Sequence, residues 1–442
     1  MSMPEKRDPE TLLQHLPFDT FNTMQQDFIE KTLTSSKPLM LLAPTGSGKT
    51  LAYLVPLALS LQKNYPQSTG LIIVPSRELA LQIEQVFRSL KTNLNACTCY
   101  GGHAFKTEAN RLKENPALVI GTPGRLSEHA QLGNLPLAGL EMVVLDEFDK
   151  SLQFGFHDQL KVIFDRLDGT QRYFLTSATA LESLPEFLPL SSWETLDYLK
   201  ISSESKLELK LVRTPSVEKA AKLMHLLAGF QQENSLVFCN HREAVIRIST
   251  LLSENHFPHE TLHGGMEQID REKSLFKFRS GVKKVLIATD LAARGLDIPE
   301  IRHVVHYQLP SKEDAFIHRN GRTARMHASG QSYLVLAHDE PLPDYLPKDL
   351  SEFEPPEDIR IPTSSPLACL YISAGKKDKI SKGDVVGFLT NKGGLDGGDI
   401  GLIGITDTAS YVAIPREQVP AVLQKTSKEK MKKIRVKVEL AN

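Results

Sequence analysis

With 442 residues, 52 Lys and Arg against 53 Asp and Glu, and 41% apolar residues, the chain has room for two or three cored domains and an ordinary globular composition. Its cysteines, Cys97, Cys99, Cys239 and Cys369, lack C-x-x-C spacing, so neither a zinc site nor a disulfide framework is suggested, and they suit buried thiols in a reducing compartment. The first residues have no signal-peptide core, and the apolar run from Leu51 to Leu61 is short and broken by Pro56, so a cytosolic (cytoplasmic) location and no membrane partner are expected.

The net charge of −1 conceals a segregation. Residues 1–337 carry 37 basic against 37 acidic side chains, residues 338–366 carry 2 against 8, and residues 367–442 carry 13 against 8. A tail of net +5 behind an acidic spacer of −6 suits a polyanion partner.

In chain order, the first strong signal is PLMLLAPTGSGKTLAY, from Pro38 to Tyr53. A short apolar strand runs into a small-residue turn and then into good helix formers. Ala43 stands where the G-x-x-x-x-G-K-[ST] pattern has its first glycine, and Thr45, Gly46, Ser47, Gly48, Lys49 and Thr50 complete the loop. Backbone N–H groups of such a loop face phosphate at a helix N-terminus. Lys49 reaches the outer phosphates, and Thr50 offers its hydroxyl to Mg²⁺.

The apolar runs Leu39–Leu42, Leu71–Val74, Leu118–Ile120, Met142–Leu145 and Tyr173–Leu175 alternate with helical patterns and each ends in a polar motif, as in a parallel α/β sheet. A second series follows at Ser235–Phe238, Glu260–Leu262, Val285–Ala288, Val304–Tyr307 and Ser332–Leu336. The stretch KISSESK, residues 200–206, reads as a hinge, and the proline-rich acidic stretch before residue 367 reads as an extended linker. Ligands of such sheets sit at the carboxyl ends of the strands.

Asp146 and Glu147 directly follow the strand MVVL. Facing a phosphate loop, one carboxylate holds Mg²⁺ and the next positions or deprotonates water. At this point residues 18–337 resemble the DEAD-box family of RNA-dependent ATPases, whose namesake motif reads DEFD here, with Phe148 in place of alanine. The resemblance implies two RecA-like parallel-sheet domains in tandem, with ATP and Mg²⁺ as cofactors. It assigns metal and water roles to Asp146 and Glu147, and a domain-coupling role to Asp149 with Ser177 and Thr179 of the S-A-T motif and with His318. PSRELA with Pro75 and Arg77, the doublet Gly101-Gly102, and TPGR with Thr122, Gly124 and Arg125 are implied to line RNA, as are Arg242, Gly264 and Thr289. Gly295 and Asp297 are implied on the ribose side, and Arg322 and Arg325 as fingers that reach the γ-phosphate when the two domains close. Gln25 is the expected reader of the adenine edge. The family pairs it with an upstream aromatic, and none occurs between Met1 and Leu16.

The tail, from LACLYISAGKKDK to KKIRVKVEL, is similar to the RNA-binding domain of the DbpA type, a small α+β RNA-recognition-like fold that grips large-subunit ribosomal RNA. That resemblance implies structured ribosomal RNA as partner. Lys376, Lys377 and Lys379 would contact phosphate, with Lys382, Lys432, Lys433 and Arg435 beside them, and Tyr371 and Tyr411 are the candidate base-stacking residues. The expected division is 1–200 and 207–340 for the helicase domains, 341–366 for the linker and 367–442 for the RNA-binding domain, in a monomer. The resulting expectation is an ATP-dependent RNA helicase that remodels structured RNA during large-subunit assembly. A nucleotide-gated RNA clamp is its rival, weakened by the presence of Lys49, Glu147 and Arg322, since a clamp needs no water-activating acid.

Overall fold

The computed structural model describes residues 9–16, 18–64, 69–137, 139–180, 183–188, 193–199, 207–230, 233–293, 301–323, 330–357, 360–361 and 365–441. The expected hinge over residues 200–206, Gly295, Asp297 and Arg325 lie outside the described residues. The described residues form two compact units, one ending at Leu199 and the other starting at Leu207.

In the first unit, helix α1 (Thr23–Thr34) leads to β1 (Leu39–Leu42) and α2 (Lys49–Asn64), then to β2 (Thr69–Ile73) and α3 (Arg77–Ser89). β3 (Ala96–Cys99), α4 (Phe105–Leu112), β4 (Leu118–Gly121) and α5 (Pro123–Gln131) follow, then β5 (Leu140–Leu145), α6 (Phe148–Gln153), α7 (His157–Phe164), β6 (Arg172–Ser177) and β7 (Glu194–Asp197). The seven strands are parallel in the order β3-β4-β2-β5-β6-β1-β7. β1, β2 and β4 are buried along their whole length because helices cover both faces, which is why they read as unbroken apolar runs. Two apolar clusters fill the two faces. The sheet-edge strands β3 and β7, ACTC and ETLD, escape the sequence reading because an edge tolerates small and charged residues.

The second unit runs β8 (Leu207–Thr214), α8 (Lys219–Gly229), β9 (Ser235–Cys239), α9 (Arg242–Glu254), β10 (Glu260–Leu262), α10 (Gln268–Arg279), β11 (Val285–Thr289), α11 (Asp290–Ala293), β12 (His303–His306), α12 (Glu313–Asn320), β13 (Gly330–Ala337) and β14 (Ser351–Glu352). Its parallel sheet has the order β10-β11-β9-β12-β13-β8-β14, the same permutation as in the first unit. The proline-rich stretch is not an extended tether over its first half. Leu342, Tyr345, Leu346 and Leu350 pack against Phe316, Leu334 and Leu336, and β14 pairs with β8. Apolar residues between the prolines give that segment a surface to bury, and its composition masks them.

The same unit continues into β15 (Leu367–Ile372), α13 (Lys382–Phe388), β16 (Ile403–Ile405), β17 (Ser410–Pro415), α14 (Val419–Thr426), the hairpin β18 (Lys430–Met431) and β19 (Ile434–Arg435), and β20 (Val438–Leu440). An antiparallel sheet in the order β16-β17-β15-β20 packs one face on α13 and α14. Its other face is closed by α10 and the turn that follows it: Phe276 and Val282 join Cys369, Ala409, Tyr411 and Ala413 in one apolar cluster. A Cβ at Gly404 would lie 2.7 Å from the Phe276 ring, so the close approach of α10 requires glycine there. All four cysteines are free thiols and buried. No helix among the described residues is long and apolar enough to cross a membrane.

Candidate active site and RNA-facing elements

The loop between β1 and α2 turns through positive φ at Gly46 (81°) and Gly48 (89°), the backbone conformation with which such loops present N–H groups to an anion. Lys49, buried at the first turn, places its Nζ 2.5 Å from the Ala43 carbonyl and 2.8 Å from that of Pro44. Asn22 and Gln25 form a capping box at the start of α1. Both then bond the loop: Asn22 Nδ2 donates to the Ser47 carbonyl (3.0 Å) and Gln25 Nε2 to that of Gly48 (3.1 Å). Gln25 Oε1 accepts from the Asn22 N–H, so both ends of its amide are engaged. Asn22 was not singled out from sequence, and only its capping-box spacing to Gln25 signals it.

Asp146, at the end of β5, is buried. Its Oδ2 accepts from Tyr53 Oη on α2 (2.7 Å), and its Oδ1 from Thr176 Oγ1 on β6 (2.5 Å). Burial, followed by the charge of Glu147, holds its carboxyl above the usual range, against the hydrogen bonds from Thr176 and Tyr53 and the charge of Lys49. Glu147 sits at φ 47°, in the left-handed region a non-glycine residue enters at a cost of about 1–2 kcal/mol. Its N–H donates to Asp146 Oδ1 (3.0 Å) and Thr176 Oγ1 (3.2 Å), which hold that turn. Tyr53 and Thr176 carry no motif of their own and become visible only in three dimensions.

Phe148 is fully buried in the apolar cluster with Leu145, Leu160, Phe164 and Leu175. The bulky residue in the DEFD motif therefore points into the core, away from the carboxylates on either side. Asp149 is also buried; Lys150 Nζ donates to it at 3.0 Å and Thr179 Oγ1 at 3.3 Å. Ser177 Oγ donates to the Thr179 carbonyl (2.6 Å) and accepts from the Thr179 N–H (3.1 Å), so Asp149, Ser177 and Thr179 are one connected group.

On the neighbouring strand ends, the Arg77 guanidinium lies 4.8 Å from the centre of the Tyr100 ring, and Gly102 turns at φ 86° beside it. Pro75 is buried between β2 and α3, and Ser76 caps α3. Thr122 precedes α5, with Pro123 at its first position, and a Cβ on Gly101 or Gly124 would meet nothing within 4 Å. Glu108 on α4, completely buried, organises this group. It accepts from the Tyr100 N–H (3.1 Å), His103 Nδ1 (3.2 Å), Arg125 Nη1 (3.2 Å) and His129 Nε2 (3.0 Å). Cys99 lies within ligating reach of Glu108 and His129, but the carboxylate is already saturated by these donors. Sequence reading missed Glu108 because one acid on an amphipathic helix looks like a solvated one.

In the second unit, Arg319 is nearly inaccessible on α12. It binds Asp290 through Nε (2.7 Å) and Nη2 (2.6 Å), the Gln308 carbonyl through Nη1 (2.6 Å) and Asn240 Oδ1 through Nη2 (2.7 Å). Arg319, three residues before Arg322, is thus a structural clamp that joins the ends of β9, β11 and β12. His318 and Arg322 are buried beside it, and Thr289 closes β11. Arg242 starts α9 with its side chain exposed and on Glu243 (2.7 Å), and Gly264 is exposed with open space around it.

In the tail, Lys376, Lys377, Lys379, Lys382, Lys432, Lys433 and Arg435 are all exposed. Lys432 Nζ bonds the Lys379 carbonyl (2.7 Å) and pairs with Asp384 (2.8 Å), which brings the two lysine-bearing segments together. Tyr411, expected as a stacking platform, is buried instead, its ring 5.7 Å from Phe276 and 5.8 Å from Tyr371. The sheet face that would present it is the one α10 covers.

Comparison with known proteins matches this arrangement along the chain. Residues 22–187 match the DEAD/DEAH box helicase family, residues 218–327 the helicase conserved C-terminal domain, and residues 369–440 the DbpA RNA binding domain. The ATP-dependent RNA helicase DbpA of Escherichia coli is 34% identical over 418 residues, covering 91% of both chains. The ATP-dependent rRNA helicase RRP3 of Scheffersomyces stipitis is 35% identical over 341 residues, covering 75% of this chain and 70% of that one. S. cerevisiae Dbp5 bound to RNA and ADP BeF3 shares the fold at a TM-score of 0.65 and 23% identity, over 75% of this chain and 88% of that one. The phosphate loop, the acidic strand end and the docked basic tail thus belong to a member of the DEAD-box family of the DbpA type, an RNA-dependent ATPase and ATP-dependent RNA helicase.

Proposed function

We propose that this helicase remodels structured ribosomal RNA during large-subunit assembly, with the tail choosing the RNA and the two helicase domains, residues 1–200 and 207–340, working on it. The observation that carries this reading is the tail's exposed basic edge, gathered where Lys432 meets Lys379, while the sheet face of the same domain is closed. Phosphate contacts from such an edge select an RNA by the spacing of its folded backbone and not by its base sequence. The name of the S. stipitis relative supports ribosomal RNA as the target class.

The donor set suits nucleotide and metal: two positive-φ glycines, a lysine held on carbonyls a phosphate outcompetes, and a buried carboxylate bonded to Tyr53 of the helix whose first turn carries Thr50. Thr50 and Asp146 would hold Mg²⁺, which when bound neutralises phosphate charge. Glu147 orients and deprotonates the attacking water, Lys49 binds the outer phosphates, and Gln25 reads the adenine edge while it latches the loop. Arg322 and Arg325 add positive charge at the γ-phosphate on closure, with Gly295 and Asp297 on the ribose. Asp149, Ser177, Thr179 and His318 relay nucleotide state to the RNA-facing Arg77, Arg125, Arg242 and Thr289.

The test compares RNA-stimulated ATPase of the wild type and a Lys376→Ala/Lys377→Ala protein, with large-subunit ribosomal RNA and with poly(A). A several-fold rise in the half-stimulating concentration of ribosomal RNA alone is expected. Equal rises with both RNAs would reduce the tail to a general phosphate-binding surface.

A further inference from the structure

A cavity of about 560 Å³ opens in the second unit where the helicase fold meets the tail domain. Its walls come from the end of α9, the turn into β10, the segment before β11, and Ser365 and Arg416 beside β15 and β17. It lies at the amino-terminal ends of β10 and β11, whereas Gly264 and Thr289 follow or close those strands at their carboxyl ends. The cavity is therefore separate from the motif-bearing edge of the sheet.

Its charges are unbalanced. Glu260 is the one carboxylate among the lining residues, and both its oxygens are taken, Oε1 by Lys277 Nζ (3.0 Å) and Oε2 by Ser274 Oγ (2.8 Å). Lys283, half-buried in the wall, has no hydrogen-bonding or ion-pair partner for its amine among the described residues. Burial lowers its pKa, with Lys277 and Arg416 acting in the same direction against Glu260. Arg416 spends Nε on the Ser365 carbonyl (2.7 Å) and Nη2 on that of Leu367 (3.0 Å). His259 donates through Nδ1 to the Phe257 carbonyl (2.8 Å) and so accepts from Ser249 Oγ at Nε2 (2.8 Å), the neutral tautomer. Among the described residues no carboxylate is bonded to either cation, and with the hydroxyls of Ser253 and Thr261 around them the cavity suits an anion.

We propose that this cavity is a phosphate-binding site, with Lys283 and Arg416 as its cationic ligands, and that it takes the phosphate of an RNA strand or of a small phosphorylated molecule. Because both chain segments line it, an occupied cavity ties the tail domain to the helicase fold. The site does not depend on the ribosomal reading above, and ATPase stimulated by poly(A) serves as a control for the motif-bearing edge.

The experiment uses the full chain with its phosphate loop saturated by ADP and Mg²⁺, as wild type, Lys283→Gln and Ser253→Trp, the last filling the cavity from its exposed rim without removing charge. In one arm, binding of a fluorescein-labelled hairpin RNA with single-stranded tails is followed across KCl concentrations. A phosphate held by Lys283 predicts about 3- to 10-fold weaker binding and a salt slope reduced by about one in the Lys283→Gln protein, with similar weakening in the Ser253→Trp protein. In the other arm, inorganic phosphate is titrated calorimetrically, and heat present in the wild type and lost in both variants assigns the site to a small phosphorylated ligand. Unchanged RNA affinity and salt slope together with unchanged phosphate heat in both variants overturns the proposal.

Discussion

The two parallel sheets share one strand permutation, yet the position after their equivalent strands β1 and β8 is built in opposite ways. In the first unit β1 runs into a glycine-rich turn, and Lys49 at the head of α2 rests on two backbone carbonyls, neutral acceptors. In the second, Lys219 at the head of α8 is clamped by Glu340 (2.5 Å) and lies 5.3 Å from the Tyr307 ring. Tyr307 follows β12 as Asp146 follows the equivalent β5. In the second sheet a carboxylate of the same unit, Glu340, stands against the lysine at the helix head. On α12, Arg319 joins the ends of β9, β11 and β12. A common scaffold thus carries a lysine on backbone carbonyls at a glycine-rich turn in one copy, and a lysine ion-paired to a carboxylate of its own unit in the other.

The largest break in that comparison should come from Glu147→Gln, which removes the carboxylate proposed to activate water and should lower kcat by about 10²–10⁴-fold with nucleotide affinity retained. Lys49→Ala should instead weaken nucleotide affinity itself, by about 10- to 100-fold, and binding and phosphate-release assays on the two proteins separate the effects. Phe148→Ala restores the family's small residue but empties a core position, so unit stability should fall by about 3–5 kcal/mol in denaturant titrations while activity at low temperature persists.

Acid should act on the second unit through His306. Burial, with the charge of Arg319, lowers its pKa to about 3, and its Nε2 lies 3.1 Å from Asn320 Oδ1. The unfolded chain binds the extra proton first, so stability is full above about pH 6.5 and falls as pH drops toward 3, by at most about 5 kcal/mol. His306→Gln should flatten that decline in pH-dependent unfolding curves. Lys219→Ala sharpens the comparison directly: about 1–2 kcal/mol of stability lost, since Glu340 is partly solvated, with ATP affinity unchanged. A loss of nucleotide binding there would undo the distinction between the two lysines. The smallest effect is expected from Gln25→Ala, about a 3- to 10-fold loss of discrimination between ATP and GTP, read from hydrolysis of both nucleotides.

The sequence by itself determined the buried strands, the phosphate loop and the ordered motifs, because a strand covered on both faces must be continuously apolar and because a strand-end loop carries its chemistry in consecutive residues. Β1 and β10 were located to the residue, while the hydrophilic or small-residue strands β3, β7, β8 and β14 were not, since their pairing is decided by neighbours far along the chain. Only the tertiary structure decided that Phe148 turns into the core, that Glu108 gathers Arg125 and the Tyr100 turn, and that Arg319 is a clamp while Arg242 is exposed. Charge and aromatic character are local properties, whereas burial depends on which surface arrives opposite. Tyr411 shows this most plainly: as a residue it suits a base, and α10 brings Phe276 to it instead.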